Sequence, residues 1–135
     1  MSEARVLDRN FSASNGSAAQ VGYSKTITQE SIISVSKSIP DSTTDMEITF
    51  DVPYSQLKAI FIGTDGDLTM EVNHPGGTST AADQTFTFAA DQPLVWADGD
   101  PLDNPITQDI DKLYVSNSSG AAVQLEIRAM LDASP

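Results

Sequence analysis

Residues 46–52 read Met-Glu-Ile-Thr-Phe-Asp-Val. Apolar and polar residues alternate without a break. Successive side chains of a β-strand point to opposite faces, so this period of two places Met46, Ile48, Phe50 and Val52 on one face and Glu47, Thr49 and Asp51 on the other. That is the signature of a half-buried antiparallel strand. The same period recurs along the chain. Val21, Tyr23 and Ile27 share a face, as do Ile33 and Val35, with Ile32 opposite. Leu68, Met70 and Val72 alternate with Thr69, Glu71 and Asn73, and Val123, Leu125, Ile127, Ala129 and Leu131 alternate with Gln124, Glu126, Arg128 and Met130. Leu57–Thr64 is apolar on both faces, as expected of a central strand. Short strands are expected at Gln84–Ala90, Pro93–Trp96 and Asp111–Asn117, with Phe86 and Phe88, then Leu113 and Val115, turned inward. No stretch carries a helical period, and there is no internal repeat.

Eight or nine short strands in 135 residues make an all-β protein, an antiparallel β-sandwich. The strand number, and the absence of a Cys…Trp…Cys framework, favour a jelly-roll-like order over an immunoglobulin one. Residues 1–19, rich in Ser, Ala and Asn, are expected to be a flexible N-terminal arm, and residues 20–135 a single β-sandwich domain. Val6 and Phe11 are the arm's candidate apolar anchors for a neighbouring subunit.

Turn chemistry divides the strands. Asp65-Gly66 between two alternating runs predicts a type I′ hairpin, because that turn needs positive φ at both central residues. Two prolines, Pro101 and Pro105, break the long segment Ala97–Asp109, which holds Asp98, Asp100 and Asp103 around Gly99. Aspartates near a glycine supply hard oxygen ligands, so these three are the candidate calcium site. They depart from the EF-hand pattern, and aspartates also make Asx-turns. The alternative is a rigid acidic loop at one end of the sandwich, with Trp96 closing the core beneath it.

Charge narrows the function. Nineteen Asp and Glu against seven Lys and Arg give a net charge of −12. Nucleic-acid binding depends on neutralising phosphates, and anionic membranes attract cations, so neither partner is expected. No apolar run reaches the length of a membrane helix, and the first residues lack the apolar centre of a signal peptide. The chain as given is therefore expected to be soluble and to carry no export signal. It has no cysteine, which excludes disulfides and thiolate chemistry. His74, the single histidine, stands in Asn-His-Pro-Gly-Gly without a G-x-S-x-G elbow, and no phosphate-binding glycine loop is present. An enzyme is not expected, and no cofactor other than calcium is suggested. A carbohydrate-binding module is a separate possibility, with Trp96, Tyr23, Tyr54 and Tyr114 as its aromatic candidates.

Two stretches carry a family resemblance. They are Leu57–Asn73, "LKAIFIGTDGDLTMEVN", and the C-terminal hairpin expected over Asp111–Pro135, "DKLYVSNSSGAAVQLEIRAMLDASP", each a strand, a small polar turn and a second strand. With its acidity and lack of cysteine, the chain resembles the small β-sandwich proteins of tailed-bacteriophage virions, above all the capsid decoration (cement) proteins. The resemblance implies a structural protein on the capsid surface, bound to the major capsid protein as a homo-oligomer, a trimer by preference. Head-fibre, tail and adaptor components are alternatives within the same resemblance.

Overall fold

The structure, a computed structural model, describes residues 3–11, 21–29, 31–75 and 81–132. Among them are ten strands: β1 (Glu3–Phe11), β2 (Val21–Gln29), β3 (Ser31–Ile39), β4 (Thr43–Val52), β5 (Leu57–Thr64), β6 (Leu68–Val72), β7 (Thr85–Phe88), β8 (Leu94–Ala97), β9 (Ile110–Asn117) and β10 (Val123–Leu131). A turn of 3₁₀ helix, Tyr54–Gln56, joins β4 to β5. Among the described residues no helix is long and apolar enough to cross a membrane.

β3 to β10 form two four-stranded antiparallel sheets, ordered β3-β10-β5-β8 and β4-β9-β6-β7. From β3 onward the chain changes sheet at every step except the β6-β7 hairpin, whose two strands are neighbours in one sheet. This is the strand order of a jelly roll, in which two Greek keys wrap one core. The alternating residues fill that core as their period dictates. Ile48, Phe50 and Val52 of β4 and Leu113 and Val115 of β9 face Ile60 and Ile62 of β5 and Leu125, Ile127 and Ala129 of β10. Removing each large aliphatic or aromatic side chain from water stabilises the fold by about 1.5–3 kcal/mol before the entropy of ordering is subtracted. Phe86 and Phe88 both turn inward, with ring centroids 6.4 Å apart.

Three expectations change. Asp65-Gly66 is not a hairpin turn, because β5 and β6 lie in different sheets. Positive φ among the described residues occurs elsewhere, at Ser42, Asp45, Asn73, Asp91, Gly99 and Gly120. The dipeptide is instead a corner that carries the chain across the sandwich and docks on the start of β10. Asp65 N–H donates to the Gln124 carbonyl (3.3 Å), and Gln124 N–H donates to Asp65 Oδ1 (2.7 Å). Glycine is required at 66 by proximity, since a Cβ there would stand 2.8 Å from Val123 Cγ2. The C-terminal pair is likewise no hairpin. β9 pairs with β4 and β6, and β10 with β3 and β5. A period of two describes the faces of a strand, and it is the same whether the next strand pairs beside it or opposite it.

The third change concerns the N-terminus. Residues 3–11 of the expected arm are a strand, β1, paired antiparallel with β2 so that Val6 lies opposite Thr26 and Phe11 opposite Val21. The side chains of Val6 and Phe11, and residues 12–19 of the arm, lie outside the described residues. Leu7 and Ile27 bring this two-stranded sheet onto the outside of the sandwich, against Ala59, Ala97 and Met130.

Candidate functional site

The acidic segment after β8 is a built loop. At its start Ala97 N–H donates to Asp100 Oδ2 (2.9 Å), and Asp100 N–H donates back to the Ala97 carbonyl (3.0 Å). Gly99 takes φ 88° in the left-handed region that this tight turn demands. Trp96 Nε1 donates to the Leu102 carbonyl (3.3 Å), holding the loop over the indole. Further on, Gln84 grips the chain from both ends of its carboxamide, donating to the Pro105 carbonyl (2.9 Å) and accepting from Thr107 N–H (3.1 Å). Ile106 between them is 1% exposed. Asp109 Oδ1 accepts from Tyr54 N–H (2.7 Å).

The candidate calcium ligands are turned to different tasks. Asp98 faces Lys58 Nζ at 3.9 Å, Asp100 closes the turn, and Asp103 is exposed. Among the described residues no three histidine or acidic side chains converge on a point that would hold a metal ion. His74 sits in the turn after β6, with its N–H on the Val72 carbonyl (2.8 Å). The sugar candidates do not form one platform. Trp96 belongs to the core, Tyr54 lies in the 3₁₀ turn, Tyr114 is half-buried on β9, and the side chain of Tyr23 is outside the described residues.

The β3-β10-β5-β8 sheet presents three kinds of surface on its outer face, read from the register. Across the strands the first row is Ile32, Met130, Ala59 and Ala97, the second Ser34, Arg128, Phe61 and Val95, and the third begins Ser36, Glu126 and Gly63. The β1-β2 pair covers part of the first row. The third row is a polar network. Ser36 Oγ donates to Glu126 Oε1 (2.8 Å), Gln124 Nε2 donates to Ser36 Oγ (3.0 Å), and Arg128 pairs with Glu126 Oε2 at 3.0 Å. Hydrogen bonds from Ser36 and Gln124, with Arg128 alongside, hold the Glu126 carboxyl below its usual value.

The second row is left open. Phe61 is 39% and Val95 50% exposed, and Ile32 beside them is 48% exposed. Where the β1-β2 pair ends, these side chains border an apolar cavity of about 180 Å³, lined also by Leu7, Met130 and Arg128. Leu102, carried by the acidic loop beside β8, is 80% exposed. The sequence marks Ile32 as outward-facing, but it does not tell which strand lies next to it. The patch depends on the registers that place Phe61 beside Val95 and Met130 beside Ile32.

No protein-family model matches the chain. No curated protein matches it. Among solved structures the chain is similar to one described as "Bacillus endospore appendages form a novel family of disulfide-linked pili", at 12% identity and a TM-score of 0.40, over 96% of this chain and 92% of that one.

Proposed function

We propose that the chain is a non-enzymatic structural protein that works by binding, and that its place is the outer surface of a virion capsid, as a decoration protein. The observation that carries the binding role is the distribution of exposed apolar side chains. Of the five large ones among the described residues, Ile32, Phe61, Val95 and Leu102 cluster on and beside one sheet face, with Tyr54 apart. Scattered apolar residues are ordinary on a protein surface, but a contiguous set marks an interaction site. Support for the virion comes from the sequence resemblance, and from a jelly-roll strand order that capsid proteins also use, an analogy of fold rather than of site. In this reading a homo-oligomer offers several weak contacts to the major capsid protein, and their linkage slows dissociation.

The test is to mix the purified protein with mature phage heads, sediment them and image the pellets. Co-sedimentation with regular added density over the lattice is the expected outcome. Bare heads at saturating protein would overturn the capsid assignment.

A further inference from the structure

Leu102 stands further into solvent than any other large apolar side chain among the described residues. It is not loosely held. The Trp96 indole hydrogen-bonds its carbonyl, and Pro101 fixes the backbone before it. A side chain carried on an already ordered backbone adds no loop-ordering cost on docking, so more of the gain from its burial is kept. Its chemical setting is one-sided: Asp100 and Asp103 flank it, and there is no basic residue from Asp83 to Asp111.

The cavity on the outer sheet face has the complementary character. Among the described residues its walls are apolar and its one charged lining residue is Arg128, whose guanidinium is paired with Glu126 at 3.0 Å. On a chain of net charge −12 such a place is distinctive. Its volume is about 180 Å³, and an apolar cavity of about 150 Å³ holds a benzene molecule, so one leucyl side chain fits. Val95 borders both this cavity and the groove behind Leu102. The projection and the hollow therefore lie to either side of the same edge strand.

We infer that Leu102 of one copy of this chain inserts into the cavity between Ile32, Phe61 and Val95 of the next copy, with Asp100 and Asp103 brought to Arg128. The two patches are different surfaces, so the contact is heterologous and generates a ring when its rotation closes. The cavity opens on the sheet's outer face and Leu102 lies beside its β8 edge. Surfaces on adjacent rather than opposite sides turn each copy sharply against the last, which suits closure with few subunits, as in a trimer. Self-association of this kind deepens the assembly role proposed above and rests on it.

Light scattering on the purified full-length chain over a concentration series gives the stoichiometry. The wild type forms a closed oligomer. Leu102→Asp alters a side chain that is in water in the single chain (80% exposed), keeps the wild-type far-ultraviolet circular dichroism, and weakens association by roughly 10–100-fold. Phe61→Asp weakens association from the other side of the contact and, because Phe61 is only 39% exposed, also lowers the melting temperature of the fold. The native chain has no cysteine, so mixing Leu102→Cys with Ile32→Cys under mild oxidation reports the contact directly as a disulfide-linked heterodimer. A wild type that is monomeric throughout overturns the ring contact, whatever else the protein binds. So does an oligomer indifferent to Leu102→Asp that yields no mixed crosslink. An intact ring, broken by Leu102→Asp, that leaves phage heads bare upholds the contact and counts against the capsid role alone.

Discussion

At the end of β9 the Asn117 side chain, fully buried, joins three segments. Its Nδ2 donates to the carbonyls of Ile39 (2.9 Å) and Ala121 (2.8 Å), and its Oδ1 accepts from the Ser119 N–H (3.0 Å) and hydroxyl (2.7 Å). Truncation orphans groups that have little access to water, each at a cost of about 1–3 kcal/mol. Asn117→Ala is therefore expected to lower unfolding free energy by roughly 2–3 kcal/mol, read as a lower urea midpoint at unchanged slope. Asn117→Asp should cost more, because it sets a carboxylate against two carbonyls. Glu126 supplies the pH counterpart. Its folded-state carboxyl is held below the usual 4.5, so its network contributes stability above that value and loses it as pH falls through the folded-state value. The gap in melting temperature between wild type and Glu126→Gln is expected to be constant near neutrality and to shrink in acid. A gap unchanged down to about pH 3 would show that the Glu126 charge adds nothing.

At the scale of elements, two glycine-bearing turns look alike in sequence and behave differently. Gly99 is needed for its φ of 88°, whereas Gly66 is needed because Val123 leaves no room for a Cβ. Gly66→Ala is expected to destabilise by about 1–3 kcal/mol through overpacking against β10. A Val123→Ala background should recover part of that loss, measured as a double-mutant cycle. A type I′ hairpin turn would show no such coupling to residue 123. Strand existence and facing were legible because alternation needs only local contrast between neighbours: Ile32 outward, Ile33 and Val35 inward, and the β10 stripe all stand where the period puts them. The pairing partners were not legible, since Asp65-Gly66 and Ser118–Ala121 serve a crossing between sheets as well as a hairpin. The exposed apolar patch was hidden for the same reason. Phe61 and Val95 are brought side by side by pairing between β5 and β8, and neither residue's local context announces it. Loop anchors such as Gln84 and Asn117 went unseen because an amide in a polar stretch reads as solvated until its partners, far away in sequence, are in place.

For the whole molecule, the strand order sets the kinetics. β3 pairs along its length with β10, Ile39 opposite Val123 and Ser31 opposite Leu131, so the sheet closes a loop that spans most of the sandwich. Long-range pairing requires loop-closure entropy to be overcome before contacts repay it. Refolding from urea is expected on the order of milliseconds to seconds, well slower than a helical bundle of this size. Stopped-flow tryptophan fluorescence can follow it, because Trp96 joins the core. A microsecond phase carrying the full amplitude would contradict it. The same arrangement has a consequence during synthesis. Among the described strands β10 comes latest in the chain, and it lies between β3 and β5, so until it leaves the ribosome β3 has no neighbour in its sheet and β5 lacks one flank. A nascent chain stopped short of residue 123 retains exposed edges and half a core, a state proteases recognise, and only chains translated through β10 reach the form that presents both Leu102 and the apolar cavity on the outer sheet face.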